Sequence, residues 1–538
     1  MQYTAVSSNE WLYPDIHEYP TANKTIICHA ARGGYLTAQI QLTGLDGINS
    51  VPVLCEAKGE ISGFDIELYE MVPIFVDKPA LETHNPAPLY PNRTGPFYIY
   101  DCIKPLGKNI TVMDGTVGLY ISAYVPKDYN PGVYHGSLNI SLSFGEKNIE
   151  IPVEFIVHKA VLPEETLKFT TWYNFHNTAK YHNTEFGSDK YKRLDLMYHK
   201  MMRRMHMNML RTNDGGGIGI KQTGENKYEF DFTQFEDYVK TAISLGFKYF
   251  MTPAIGSRRS WKESTIYVKN GEIPCLTYEA YAYLSQYLGE FGALLRRNGW
   301  TDMFYMSIAD EPNEANAVEF RALCGIVRHL LPGIKLFDAM SYGPFYGSLD
   351  VYVPLNSEYE KHIDIFERFR GGGDELWHYV CCGPRGEGYV NRFMDYPLLA
   401  TRYLFWGNYK YNLTGYLHWA VNQYQPDQDP FTNNWPIHRN ADSVGPLPPG
   451  DTHIIYPGDG EPWMSIRLES QRESAEDYEI LKAIAAKDKN IADKICEKCF
   501  RKFNDVENDA LIFDKVRVEM LETLGKLQSQ LQLQEREK

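Results

Sequence analysis

No stretch of the 538-residue chain approaches the roughly 18–20 apolar residues needed to cross a bilayer, so no membrane span is expected. Positive charge is in deficit. Against 69 Asp and Glu stand 54 Lys and Arg, a formal net charge of −15 with no basic stripe, which excludes nucleic acid as the natural partner. Cysteine is sparse and scattered: Cys28, Cys55, Cys102, Cys275, Cys324, Cys381, Cys382, Cys496 and Cys499. An odd number at such spacings is no disulfide framework and points to a reducing compartment. Cys496 and Cys499 form a lone C-x-x-C without a second Cys or His pair, so no zinc site is expected there. The first residues, MQYTAVSSNEWLYPD, lack a basic n-region and an apolar h-region. The expectation is a cytoplasmic protein; the alternative is a secreted or periplasmic one whose signal peptide has been trimmed from this chain. The glycines at 215, 216, 217 and 219 lack G-x-G-x-x-G spacing, and His176 and His182 lack a helical H-x-x-x-H frame. Neither a cofactor nor a metal is therefore expected.

What is present is enough for a large core and several domains: 43% hydrophobic residues against 23% charged. Aromatics reach 14%, with 39 Tyr and 9 Trp. They fit a protein that stacks the flat apolar faces of sugars, and equally the cores of β-sandwiches and barrels.

The rhythm of the chain changes near residue 160. Before it, short alternating runs at 118–124, 137–144 and 149–157 are separated by Pro, Gly and Asn turns, as in a sandwich. Residues 158–166, with Pro163, read as a linker. Beyond it, strand runs at 167–175, 207–213, 247–253, 303–309, 334–340, 349–355, 376–382 and 415–421 alternate with helical runs at 190–205, 232–245, 277–297, 314–331, 359–368 and 396–411. This predicts a multidomain β plus α/β fold: an N-terminal β-sandwich (1–160), then a (β/α)₈ TIM barrel (161–490), then a helical tail (491–538). The same alternation also permits an open doubly wound sheet. A Pro- and Gly-rich connection at 443–462 is long enough to be functional. The charged tail from 506 onward reads as a solvated terminal helix.

The strongest chemical signal is MFYMSIADEPN, residues 303–313. An apolar run delivers Asp310 and Glu311 to the C-terminal end of the fourth barrel strand, where barrel active sites lie, and Pro312 ends the strand. Two adjacent carboxylates are costly to desolvate together. The competing reading of Asp310 is a cap on the following helix. Other strand ends offer Trp172 and Asn174, Asn213 and Asp214, Tyr342, and Trp419, Asn422 and Tyr424. These types stack on a hexose or bind its hydroxyls and amides, or else pack the barrel rim. Arg258 and Arg259, after the third strand, read as a solvated loop.

With these acids, the runs GYLHWAVNQY (415–424), Tyr456-Pro457-Gly458, SIRLE (465–469), Arg472 and Asp477-Tyr478 give the chain a pattern that resembles glycoside hydrolase family 123, the β-N-acetylgalactosaminidases. The resemblance implies a sandwich followed by a barrel and an exo-acting, retaining hydrolysis of terminal β-linked N-acetylgalactosamine from a glycan or glycolipid. It further implies substrate assistance, with Asp310 orienting the 2-acetamido group and Glu311 as acid, then base. The residues agree with that assignment. Consecutive strand side chains diverge, so one strand end can hardly set two carboxyls on opposite faces of a ring, as the usual two-carboxylate scheme demands. The remaining readings are a barrel glycosidase acting on a sugar without an acetamide, and a non-catalytic carbohydrate-binding protein.

Overall fold

The computed structural model describes residues 2–80, 93, 95–142, 147–212, 217–340, 343–439 and 444–536. The N-terminal region is built on two sheets. Seven strands run in the order Gln2–Val6, Tyr35–Thr43, Val117–Tyr124, Ile66–Val76, Phe97–Pro105, Pro462–Ser465 and Tyr456–Pro457. Four run in the order Ile26–Arg32, Lys147–Val161, Gly132–Leu142 and Val53–Gly59. Alternate apolar side chains of both sheets, among them Leu36, Ile40, Leu119, Ile121, Leu138, Ile140, Val153 and Phe155, form one buried cluster, as the two-residue period of strands requires.

In the seven-stranded sheet some of the polar positions between them are buried as well. Gln39 and Gln41 are buried, and their amides donate to the carbonyls of Ser7, Glu10, Tyr13 and Ile16. That face of the sheet is covered by the N-terminal loop and by helix Ile466–Ala485. The last two strands of the seven come from the far end of the chain: Met464 pairs with Ile103 and Ser465 with Cys102.

Beyond Val161 every strand pairing between successive β/α units is parallel. One sheet holds Lys168–Thr171, Gly415–His418 and His378–Tyr379. The other holds Met209–Arg211, Tyr249–Met251, Phe304–Ser307, Lys335–Met340, Val351–Pro354 and Glu375–Leu376. The two sheets touch at both margins. Asn208 N–H donates to the Phe169 carbonyl (3.2 Å), and Leu355 bridges Tyr379. A cluster of Met209, Met251, Tyr305, Phe337, Val351, Val353, Trp377, Tyr379 and Leu417 draws on both.

Strands are shorter than the apolar runs suggest, because the chain leaves the sheet before the run ends. The 376–382 run becomes Glu375–Leu376 and His378–Tyr379, and the 396–411 helix breaks at Tyr403 into Leu398–Arg402 and Leu404–Lys410. Hairpin Gly219–Gly224 with Lys227–Asp231 precedes the third helix of the series and was not expected from the sequence. The terminal helix Ala510–Arg536 corrects the expectation of a solvated tail. Phe513, Met520, Leu521 and Leu524 are buried, and the Gln528 amide pairs with the backbone of Val161. Gly525 lets the helix lie close on strand Lys147–Val161: a Cβ there would stand 2.9 Å from Ala160 N.

The closing motif of the sequence has a structural meaning. Helix Ile466–Ala485 is buried along most of its length and is ionic. Arg467 forks onto Asp101 (3.0 and 2.9 Å), Arg472 meets Glu469, Glu473 and Glu476, and Arg402 meets Asp477 (2.7 Å) and Glu473. Tyr120 and Arg204 both bond Glu469. The helix thus ties the N-terminal sheet to helices Asp189–Arg204 and Leu398–Arg402 by charge-assisted bonds.

Candidate active site

Strand Phe304–Ser307 is buried throughout and stops three residues before the acids. Asp310 and Glu311 then take φ of 37° and 46°. Two consecutive left-handed residues that are not glycine cost about 1–2 kcal/mol each. The acids therefore do not sit on an extended strand end, as the sequence suggested. The Asp310 charge acts on Glu311, so this turn keeps the two carboxyls close to each other. Asp310 does not cap a helix either: helix Ala317–Leu330 begins after Asn316.

Three neighbours hold this turn. Asp338, on strand Lys335–Met340, accepts from Ser307 Oγ, from Ile308 N (3.0 Å) and from Ala309 N (3.0 Å). The Ala339 carbonyl accepts from Glu311 N (3.0 Å). The Arg258 guanidinium donates to the carbonyls of Asp310 (2.6 Å) and Glu311 (3.2 Å) while stacking on Trp261. Arg258 is thus part of the site rather than of a solvated loop. Its neighbour Arg259 lies over the Tyr267 ring, 3.9 Å from the centroid.

The two carboxyls are in different electrostatic settings. Burial raises both above the ordinary range. Two guanidiniums, Arg211 and Arg258, oppose this at Asp310. At Glu311 the Asp310 charge adds to burial, and only the Tyr379 hydroxyl bond (2.5 Å) and a weaker Arg258 attraction act against it, leaving the group at about 7. Cations thus favour the ionised form of Asp310 more than that of Glu311, whose neighbouring carboxylate favours the protonated form.

The other expected residues divide. Trp172 and Trp419 are half-buried at the ends of parallel strands Lys168–Thr171 and Gly415–His418. Trp172 stacks on Arg211 (4.5 Å), which ties it to Asp310. The Trp419 indole donates to buried Asp451 (3.0 Å), on the 443–462 connection. Asp451 and Glu311 both act on the adjacent thiols of Cys381 and Cys382, which places Trp419 on the Glu311 side. Asn174, Asn422 and Tyr424 hold the wall together. Asn174 caps helix Phe175–Tyr181 and donates to Gln423. Asn422 is buried, with its amide committed to Asn174 and Thr178, and the buried Tyr424 hydroxyl donates to the Ile455 carbonyl (2.6 Å). Asn422 and Tyr424 thus lie behind the surface that a ligand could reach. Asn213 and Asp214, Gly215 and Gly216, and Tyr342 lie outside the described residues.

Arg211, Tyr379, Asp338 and Asp451 escaped the sequence reading. Asp338 carried a signal, a lone acid inside the apolar run IKLFDAM; Tyr379, in the middle of the seventh run, carried none. Among the described residues, no three His, Cys, Asp or Glu side chains are grouped as metal ligands.

Comparison with known proteins bears on this geometry. The structure of a family 123 glycoside hydrolase from Clostridium perfringens, described in terms of glycolipid glycan hydrolysis, superposes with a TM-score of 0.73. It covers 98% of both chains at 17% identity, a likeness of fold. An endo-β-1,4-mannanase from Thermotoga petrophila is far more distant, with a TM-score of 0.37 at 12% identity over 59% of this chain and 77% of its own. No curated protein matches the sequence. The family model for the glycoside hydrolase 123 catalytic domain matches residues 172–484, a span that runs from Trp172 through the Asp310–Glu311 turn to the buried ionic helix. The chain is therefore a member of glycoside hydrolase family 123.

Proposed function

We propose that this glycosidase is an exo-acting, retaining enzyme that releases terminal β-linked N-acetylgalactosamine, and that the glycan of a glycolipid is its natural substrate class. The observation that carries the reading is the Asp310–Glu311 turn. Both carboxyls leave one short segment as consecutive residues, and the Asp310 charge acts on Glu311, so the two work as close neighbours rather than as the opposed pair of the usual scheme. The glycolipid assignment follows the Clostridium perfringens family 123 structure, which concerns glycolipid glycan hydrolysis.

In this reading the substrate's own acetamide is the nucleophile. Asp310, whose ionised form Arg211 and Arg258 favour, orients the acetamide N–H and balances positive charge as the carbonyl oxygen closes on the anomeric carbon. Glu311 gives its proton to the departing oxygen as the glycosidic bond breaks, leaving a bicyclic oxazolinium. Glu311, now a carboxylate bonded by Tyr379, takes a proton from water as the water opens that ring from the face the leaving group vacated. Trp172 and Trp419 are the proposed stacking surfaces. The reading includes the architecture: the N-terminal sheets as a β-sandwich, and the two parallel sheets as arcs of one (β/α)₈ barrel.

A panel of p-nitrophenyl glycosides tests it. Turnover of the β-N-acetylgalactosaminide well above the β-galactoside is the expected result. Equal turnover of the 2-hydroxy sugar, or a sugar trapped covalently on a carboxylate, supports a sugar without an acetamide instead. No turnover with retained sugar binding makes the protein a carbohydrate-binding module.

A further inference from the structure

We propose that Asp338 is a positioning residue whose buried carboxyl holds the left-handed turn from which Asp310 and Glu311 act. Asp338 itself is 2% exposed and cannot touch a sugar. It lies on the strand next to the acids, and its three bonds fall on Ser307, Ile308 and Ala309, the residues that lead into the turn. Strand pairing between the two neighbours reaches Ser307 opposite Phe337 and goes no further along the acid strand. Past that point the N–H groups of Ile308 and Ala309 point into a buried environment, both residues being almost wholly enclosed. One oxygen of Asp338 accepts from both, which lets the chain leave the sheet without orphaned donors.

That exit makes the strain possible. Glycine would take the left-handed conformation freely, but Asp310 and Glu311 must keep their side chains, so the surroundings have to impose it. Arg258 and the Ala339 carbonyl hold the turn from beyond, and Asp338 holds it from before. The groups facing Asp338 are Ser307, Asp310, Arg258 and, from helix Ala317–Leu330, Cys324.

The proposal rests on the family's hydrolysis at this acid pair and not on which sugar is cleaved. The reference is therefore wild-type turnover of whichever aryl glycoside the full-length enzyme accepts. Misplacing catalytic groups by an ångström costs on the order of 100-fold. Asp338→Ala should lower kcat by about that factor with KM within about threefold. Asp338→Asn keeps an oxygen able to accept from both N–H groups and should retain kcat within about tenfold of wild type. Asp338→Leu fills the same space without an acceptor and should behave like Asp338→Ala. Circular dichroism and thermal melting establish which variants are folded. If Asp338→Ala fails to fold, the ratio of Asn to Leu decides. Asp338→Leu equal to or better than Asp338→Asn, a folded Asp338→Asn as inactive as Asp338→Ala, or Asp338→Ala within threefold of wild type would each overturn the proposal.

Discussion

At the scale of single residues, the difference between Asp310 and Glu311 comes from what stands beside them. Glu311 must be protonated to act as an acid, and its carboxyl is raised to about 7 by burial and by Asp310. The rate of glycoside cleavage should accordingly fall as pH rises through about 7, read from kcat/KM against pH. The Tyr379 hydroxyl bond favours the ionised carboxylate. Tyr379→Phe should therefore hold the proton more tightly and move that alkaline limb to higher pH; a shift to lower pH contradicts the assignment. Glu311→Gln should damage substrates with poor leaving groups far more than activated aryl glycosides, since only the former need the proton. The acids were legible in the sequence because an apolar run ended on them. Arg258 was not, because its role depends on a loop from the third strand reaching across to two carbonyls of the fourth, which no local pattern encodes.

At the scale of elements, helix Ile466–Ala485 shows what periodicity can and cannot report. SIRLE, Arg472 and Asp477-Tyr478 marked this segment in the sequence, but no local pattern told that its charged residues are enclosed. A buried charge is tolerated only when paired, and removing one partner costs about 3–5 kcal/mol. Arg472→Ala leaves Glu469, Glu473 and Glu476 without their shared cation. It should lower the unfolding free energy by about that amount, measured by chemical denaturation. The 443–462 connection was suspected of a function from its length alone. Its Asp451 fixes the indole of Trp419. Trp419→Ala should lower kcat/KM by about tenfold, the worth of an aromatic contact near 1.5 kcal/mol. Earlier melting with unchanged kinetics would make Trp419 a packing residue.

At the scale of the whole molecule, the change of rhythm near residue 160 was visible because sheet and β/α patterns have different periods. The return of the chain was not, because nothing local in PWMS distinguishes a strand that pairs with Phe97–Pro105 from a loop. That return governs how the protein must be made. Asp101 and Arg467, which form one buried pair, are 366 residues apart. At about 5–20 residues per second a ribosome needs roughly 20–70 s to go from one to the other. Through that interval the Phe97–Pro105 strand is an open edge, and Asp101 and Tyr120 lack their partners. Residues 1–161 expressed alone should be less soluble, or form larger assemblies by light scattering, than the full chain. The N-terminal region emerges first and is finished last, so its survival during synthesis depends on how long an unfinished sheet can be kept from meeting another.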